Sequence, residues 1–255
     1  MTAFSALHHA DTPLLLPNAW DHASAATLAA QGFEAIGTTS LGVAAAAGLP
    51  DGTAATRDLT LRLARQLGAG SFLLSVDAED GFGQDPDDVA ELANELANAG
   101  VVGINIEDRL APVQQAVAKI AAVKAAVPDL FVNARTDTYW LGDGSQAETY
   151  RRLDAYQQAG ADGVFAPGLS DADRIAALVK TLDVPLNILY SPLGPTVAQL
   201  GDLGVRRVSL GSLLYRRALG AAVDTAVDIR AGRPPRGVTP TYADVQALSA
   251  AGPHA

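Results

Sequence analysis

The sequence predicts a single α/β domain folded as a (β/α)8 barrel of the TIM type. Eight short apolar stretches, rich in β-branched residues, alternate with helical patterns at intervals of roughly 30 residues, as expected for consecutive βα units. No linker, low-complexity segment or run of charges divides the 255 residues into separate domains. A doubly wound open sheet is the alternative fold with the same alternation.

Each predicted strand is a short apolar run, and most predicted helices begin at a capping residue or a proline. Gly100 and Gly160 follow helical stretches where a C-terminal glycine is expected. The predicted strands are 14–17, 35–39, 72–77, 102–106, 130–134, 163–166, 185–189 and 207–210. The predicted helices are 21–31, 57–67, 86–99, 112–127, 145–159, 171–182, 196–203, 213–230 and 242–250, with an alanine-rich turn or short helix at 40–50. The barrel domain is expected to span 1–255, with a helical extension from about residue 213.

Composition limits the classes of function. The net charge of −10 argues against a nucleic-acid surface, and the chain has no apolar run long enough to cross a bilayer. No signal peptide is recognised, and cysteine is absent, so we expect a cytoplasmic protein without disulfides or a thiolate nucleophile. The N-terminal segment, with His8 and His9, is expected to be solvated.

The stretch FLLSVDAEDGFG at 72–83 carries the clearest chemical signal. A buried strand is followed at once by Asp77, Glu79 and Asp80. Carboxylates crowded at a strand end repel one another unless a cation lies among them, and oxygen ligands suit Mg2+. The alternative is an acidic turn that caps the next helix, since Asp85 and a proline form a good helix start.

Polar residues recur at the strand exits, whereas the strand interiors are predicted to be apolar. A closed barrel brings these exits to one rim, where barrel active sites are built. Arg135, at the fifth exit, is suited to bidentate binding of an anionic substrate or to a salt bridge that neutralises the acidic cluster, and both roles are compatible. Asn187, on the seventh strand, is a candidate substrate contact by position.

Four motifs together resemble the isocitrate lyase / phosphoenolpyruvate mutase superfamily. They are GTTSLGVAAAAGLPDG at 37–52, SVDAEDGFG at 75–83, GINIEDR at 103–109 and VNARTDTYW at 132–140. The resemblance implies a (β/α)8 barrel, commonly with the last helix exchanged between partners in a homodimer or homotetramer. It also implies Mg2+, or Mn2+ with the same oxygen ligands, and a small 2-oxo acid whose C–C or P–C bond is made or broken.

The resemblance assigns metal ligands to the acidic residues. Asp77 resembles the first metal-site aspartate of the family, and it is also taken as a substrate contact. Glu79 stands where the family usually has a second aspartate, and its longer arm is expected to move the ion or to insert a water. Glu107 resembles the acidic residue that holds the water shell of the metal, and it is also taken as a catalytic residue.

The resemblance also assigns substrate contacts. Arg135 resembles the arginine that binds the substrate carboxylate or phosphonate, and it is also taken as a catalytic residue. Thr39, Ser40 and Leu41 resemble the turn whose hydroxyl and N–H groups hold the carboxylate of the 2-oxo acid. Asp51, in the GLPD motif, resembles a catalytic aspartate near the metal and the reacting centre.

One departure from the family pattern reduces the number of reactions that we expect this chain to catalyse. The isocitrate and methylisocitrate lyases carry a cysteine-containing loop after the strand-four glutamate, whereas this chain runs from Glu107 to a helix at Pro112 and has no cysteine. Isocitrate lyase activity is therefore not expected. We expect a Mg2+-dependent enzyme that cleaves a C–C bond of a 2-oxo acid, like an oxaloacetate decarboxylase or hydrolase. The alternatives are a P–C bond enzyme such as phosphonopyruvate hydrolase, and a barrel that binds 2-oxoglutarate or pyruvate without turnover.

Overall fold

The computed structural model describes residues 1–142 and 144–248, and within them the predicted barrel is confirmed. Nine parallel strands follow the order β1-β9-β8-β7-β6-β5-β4-β3-β2 in these residues. They are β1 Leu14–Leu16, β2 Asn18–Ala19, β3 Ala35–Thr38, β4 Leu73–Asp77, β5 Val101–Glu107, β6 Phe131–Arg135, β7 Gly163–Phe165, β8 Leu186–Leu189 and β9 Arg207–Ser209.

The first predicted strand, 14–17, is confirmed as β1, and a second short strand, β2, which was not predicted, follows directly after Pro17. Proline has no N–H to donate to a sheet, so the ladder changes partner there: β1 pairs with β9, and β2 pairs with β3. The side chain of Asn18 connects the residues that follow β9 to the end of β3. Its Oδ1 accepts hydrogen bonds from the N–H groups of Leu210 and Gly211, and its Nδ2 donates to the carbonyl of Thr38.

Helices alternate with the strands as the sequence predicts. They are α1 Ala3–Leu7, α2 His22–Ala30, α3 Ser40–Ala46, α4 Arg57–Leu67, α5 Pro86–Asn98, α6 Val113–Ala126, α7 Gln146–Gln158, α8 Ala172–Val179, α9 Val197–Asp202, α10 Leu213–Arg230 and α11 Tyr242–Leu248. The last two residues of the predicted helix 242–250 lie outside the described residues. Across 1–142 and 144–248, no helix has the length and apolar character needed to cross a membrane.

Helix α10 leaves several large apolar side chains exposed. Leu219, Val223 and Ile229 are each more than half exposed, at 51%, 62% and 58%. Large apolar side chains clustered on a surface helix usually mark a contact with another molecule. The exchange of this helix between subunits, and the homodimer or homotetramer that goes with it, stay predictions.

The expectation of a solvated N-terminal segment holds for His9, which is exposed, but is wrong for His8. Helix α1, which the sequence interpretation missed, is packed against the barrel, and both Phe4 and His8 are 1% exposed. The His8 ring stacks on Phe131 of β6 at a centroid distance of 4.2 Å. Burial of aromatic rings outweighs the usual tendency of chain ends to stay in solvent.

Burial of His8 predicts a loss of stability in acid. Burial, reinforced by the positive charge of Arg207, lowers the pKa of His8 from 6.5 to about 3. Between these two values the unfolded chain binds a proton that the folded chain does not, so stability falls as the pH falls from 6.5 towards 3. At pH 5 this contribution is about 2 kcal/mol. Urea unfolding at pH 7 and pH 5 checks it: His8→Phe should reduce the difference between the two pH values, and an unchanged difference would contradict the prediction.

Candidate active site

A cavity of about 180 Å³ lies at the carboxyl ends of the strands, where a barrel enzyme has its active site. It brings together six residues predicted from the sequence: Thr39, Ser40, Leu41, Asp51, Asp77 and Arg135. Its other lining residues are Asn18, Asn105, Trp140, Phe165, Pro167, Leu189, Ser209, Gly211 and Ser212. The cavity therefore combines one cationic side chain, two carboxylates and an apolar wall.

The turn after β3 is tied directly to Asp77. The Ser40 N–H donates to Asp77 Oδ2 at 3.2 Å, and the Asp77 N–H donates to Thr38 Oγ1 at 2.9 Å. Helix α3 begins at Ser40, so the N–H of Leu41 belongs to its first turn. Burial raises the pKa of Asp51, and a hydrogen bond from Ser40 partly offsets this effect. The sequence segments 39–41, 51 and 77 thus meet in one place.

Arg135 lies between the acidic residues of β5 and β6. Its Nη1 is 2.8 Å from Glu107 Oε2, and its Nη2 is 2.7 Å from Asp137 Oδ1. The guanidinium lies over the ring of Phe165, 5.8 Å from its centroid. The neutralising salt bridge that the sequence suggested is therefore present. The role of Arg135 in substrate binding stays a prediction, although the residue also lines the cavity.

Burial and mutual repulsion of the carboxyl groups in this region outweigh the attraction of Arg135. Burial raises the pKa of Glu107 to about 8; Arg135 opposes this shift, and the negative charges of Asp77, Asp137 and Asp51 add to it. Burial also raises the pKa of Asp137. A cation near Asp77 would relieve this repulsion, so the donor set fits a divalent metal ion.

The geometry suits an ion that keeps water in its coordination shell. In the part of the chain that the structure describes, no three His, Cys, Asp or Glu side chains converge closely enough to hold a metal ion. Mg2+ commonly takes one or two protein carboxylates and fills the remaining positions with water and substrate oxygens. Asp77 is the predicted metal ligand that lines the cavity, and it would hold the ion.

Three other predicted site residues do not line this cavity. The Glu79 carboxylate accepts hydrogen bonds from the Ala54 N–H and the Thr56 hydroxyl, so it ties the loop before α4 to the end of β4. Glu107 lines a neighbouring cavity of about 200 Å³, together with Lys119. Asn187 is 1% exposed. The assignments of Glu79 and Glu107 to the metal, and of Asn187 to the substrate, stay predictions.

The expectation of apolar strand interiors is wrong below the cavity. Ser75, Asn105, Asn133, Asn187 and Arg207 are all buried on the strands. Burial lowers the pKa of Arg207 to about 9, and the charge of Asp77 opposes this shift. Sequence reasoning missed Asn105, which lines the cavity, although polar residues at alternate strand positions are a signal for an inward-facing polar layer.

Comparison with known proteins gives relatives that cover three quarters or more of the chain. An uncharacterized protein of Mycobacterium tuberculosis is 45% identical over 251 residues, covering 96% of this chain and 95% of the relative. A 2-methylisocitrate lyase of Bacillus subtilis is 30% identical, covering 76% of this chain and 68% of the relative. An oxaloacetate decarboxylase of Pseudomonas savastanoi is 31% identical, covering 87% of this chain and 82% of the relative.

A solved structure and a family model agree with these relatives. The crystal structure of a phosphonopyruvate hydrolase in complex with oxalate and Mg2+ superposes with a TM-score of 0.83 at 27% identity, covering 97% of this chain and 94% of the hydrolase. The model of the phosphoenolpyruvate phosphomutase family matches residues 4–230. The chain therefore belongs to the phosphoenolpyruvate phosphomutase family, within the isocitrate lyase / phosphoenolpyruvate mutase superfamily.

Proposed function

We propose that this protein is a Mg2+-dependent enzyme that cleaves a C–C bond of a small 2-oxo dicarboxylic acid through an enolate, as an oxaloacetate decarboxylase or hydrolase does. The observation that carries the proposal is the meeting of Arg135, Asp77 and the turn 39–41 in one cavity. The oxaloacetate decarboxylase among the relatives supports the substrate class. The substrate would be a small molecule, since the cavity volume is about 180 Å³.

Several residues of the cavity would bind the substrate and the metal ion. Arg135 and the Leu41 N–H would bind the carboxylate of the 2-oxo acid, because both are donors at the cavity wall. A divalent ion bound at Asp77 would supply a Lewis acid that stabilises negative charge on the carbonyl oxygen. Phe165 and Leu189 form part of the apolar wall, and they would keep water away from the enolate.

Asp51 is the residue best placed to handle the proton. It lines the cavity, and burial raises its pKa, so it would hold a proton more readily than an exposed aspartate. Decarboxylation releases CO2 without protonation of a leaving group, and the remaining enolate carbon then needs one proton. The chain has no cysteine to donate it. We therefore assign that role to Asp51.

The test is a product assay with metal-depleted protein. Oxaloacetate, pyruvate, 2-oxoglutarate and phosphonopyruvate are each incubated with protein in EDTA, with Mg2+ and with Mn2+. In the presence of metal we expect oxaloacetate to give pyruvate by decarboxylation, or oxalate and acetate by hydrolysis, at a rate above that of the same metal without protein. Full activity in EDTA would contradict the proposal.

The same assay separates the alternatives. Release of phosphate from phosphonopyruvate would favour P–C bond cleavage, a second candidate supported by the likeness to phosphonopyruvate hydrolase. Metal-dependent binding of 2-oxoglutarate or pyruvate, with no product under any condition, would instead indicate a binding protein without turnover.

A further inference from the structure

Asn105 lines the cavity and has no role in the mechanism described so far. It lies on β5 two residues before Glu107 and is 8% exposed. A neutral amide carries two donor hydrogens on Nδ2 and two acceptor lone pairs on Oδ1. The orientation of this amide therefore decides whether Asn105 offers the substrate a donor or an acceptor.

Contacts below the cavity fix that orientation. Asn105 Oδ1 accepts from Asn133 Nδ2 at 2.8 Å and from Arg207 Nη2 at 3.2 Å. The two ends of an amide are often hard to tell apart, but a guanidinium can only donate. The atom that faces Arg207 must therefore be the oxygen of Asn105, and Nδ2 must point elsewhere.

The Nδ2 group of Asn105 is open to the cavity. Over residues 1–142 and 144–248 it has no hydrogen-bond partner, yet it is not one of the buried polar atoms that lack a partner. Asn18, which also lines the cavity, differs because both ends of its amide bind backbone groups. Asn105 thus offers an unused donor in the cavity, and Asn18 does not.

The guanidinium of Arg207 is buried without a counter-ion, and packing alone does not explain this. Its side chain is 1% exposed, and its Nε and Nη1 atoms have no partner within the described residues. None of the carboxylates described lies within ion-pair distance of it. A buried charge without a counter-ion is strongly unfavourable, and an apolar side chain of similar size would pack without that cost. A buried cation without a counter-ion is expected mainly where the residue serves a functional site.

We propose that Asn105 donates a hydrogen bond from Nδ2 to an oxygen of the bound 2-oxo acid, and that Arg207 and Asn133 are positioning residues that fix the direction of this donor. The inference rests on the proposed function, because it takes a 2-oxo acid as the ligand. A neutral donor stabilises negative charge on a substrate oxygen. Unlike a lysine or an arginine, it does not form an ion pair with the carboxylates that would hold the metal. A donor already held in place also loses little freedom on binding.

Calorimetric titration with oxalate in saturating Mg2+ tests the proposal without turnover. Asn105→Thr removes the Nδ2 donor and keeps a hydroxyl that is able to accept from Arg207. We expect it to weaken oxalate binding by about 10-fold to 100-fold, the effect of a hydrogen bond to a charged ligand. Asn94→Thr, the same change on the exposed face of α5, should leave the affinity unchanged.

The positioning role is tested by a double-mutant cycle. Arg207→Met should weaken oxalate binding about 5-fold in the wild-type background and should have no effect in the Asn105→Thr background. An equal loss in both backgrounds would overturn the positioning role. If Arg207→Met does not fold, Arg207→Lys serves in its place, because a lysine cannot reproduce the direction of the guanidinium N–H.

A nuclear magnetic resonance signal reports on the donor directly. The side-chain amide resonances that disappear in Asn105→Thr should shift when oxalate and Mg2+ are added to the wild-type protein. Wild-type binding that Asn105→Thr leaves unchanged would overturn this inference and leave the proposed function standing. Failure of the wild-type protein to bind oxalate with Mg2+ would overturn both.

Discussion

Replacing Asp77 by asparagine is expected to remove the response to Mg2+ and, at the same time, to make the metal-free protein more stable. The Asp77 charge raises the pKa of four neighbouring carboxyl groups, so it repels more groups than the two cations, Arg135 and Arg207, that it attracts. Asparagine keeps the shape and removes that repulsion. A metal ion contributes several kcal/mol of transition-state stabilisation, so kcat/KM should fall about 1,000-fold. Relief of about 1 kcal/mol of repulsion would raise Tm by roughly 2 °C to 4 °C.

Two measurements on the same samples check both halves of this expectation. Thermal unfolding in EDTA gives the stability, and turnover of oxaloacetate against Mg2+ concentration gives the metal response. Asp80→Asn is the matched control: Asp80 belongs to the same acidic stretch but lines the neighbouring cavity, beside Lys119. Asp80→Asn should keep the metal response. Metal-dependent turnover that survives Asp77→Asn would show that the ion is held elsewhere.

The acidic stretch after β4 was recognisable in the sequence because its carboxylates are unfavourable for stability and are explained only by a function. Asp77 and Glu79 crowd one strand end, an arrangement that a stable fold would avoid unless a cation were bound there. The exits of parallel strands meet at one rim, so Asp77, Arg135 and the turn 39–41 were expected to meet once the fold was predicted. In contrast, Asp51 lies in a loop, and only the family resemblance indicated its place.

The polar layer below the cavity could not be predicted by the same reasoning. The strand around Asn105 was interpreted as an apolar interior, because its neighbours Ile104 and Ile106 dominate the local pattern. Those two side chains face the helices, whereas Asn105 faces the barrel axis, since successive residues of a strand point to opposite faces. Applying that alternation within each strand would have identified Asn105 and Arg207 as inward-facing polar residues.

Tertiary contacts explain the two errors in the N-terminal part of the fold. The short α1 was missed because five residues give little periodicity, although Thr2 caps the helix by accepting from the Ser5 N–H. The strand β2 was missed because two residues, Asn18 and Ala19, are too few to give an alternating pattern. In both cases tertiary contacts, a buried Phe4 and a change of strand partner, decide the structure.

Asp108 gives the largest expected effect on stability. It is the neighbour of Glu107, but its side chain faces the helical layer and is 0% exposed. Its Oδ1 accepts from the N–H groups of Leu110 and Asp137, and its Oδ2 accepts from three side chains. These are Thr136 Oγ1 at 2.7 Å, Arg152 Nη1 at 2.9 Å and Tyr156 OH at 2.7 Å.

Asp108→Ala should therefore lower the free energy of unfolding by about 3–5 kcal/mol, because it leaves the Thr136 and Tyr156 hydroxyls and two backbone N–H groups buried without their acceptor. Arg152 also loses one of its two carboxylate partners and keeps Glu148. Asp108→Asn should cost a similar amount, since in either orientation the amide Nδ2 faces a group that can only donate, either the Arg152 guanidinium or the backbone N–H groups of Leu110 and Asp137. Urea unfolding measures both, and the exposed Asp129→Ala, the control, should change stability by less than about 0.5 kcal/mol. A loss below 1 kcal/mol for Asp108→Ala would contradict this role.

The loss of Asp108 should also reach the active site, which distinguishes it from an ordinary core substitution. Asp108 holds the backbone of Asp137, and Asp137 in turn holds the guanidinium of Arg135. Folded Asp108→Asn protein should therefore bind oxalate and Mg2+ more weakly than wild type. The adjacent acidic residues at the end of β5 thus have separate tasks. Glu107 contacts Arg135 from within the barrel, while Asp108, on the opposite face of the strand, fixes the loop that carries the partner of Arg135.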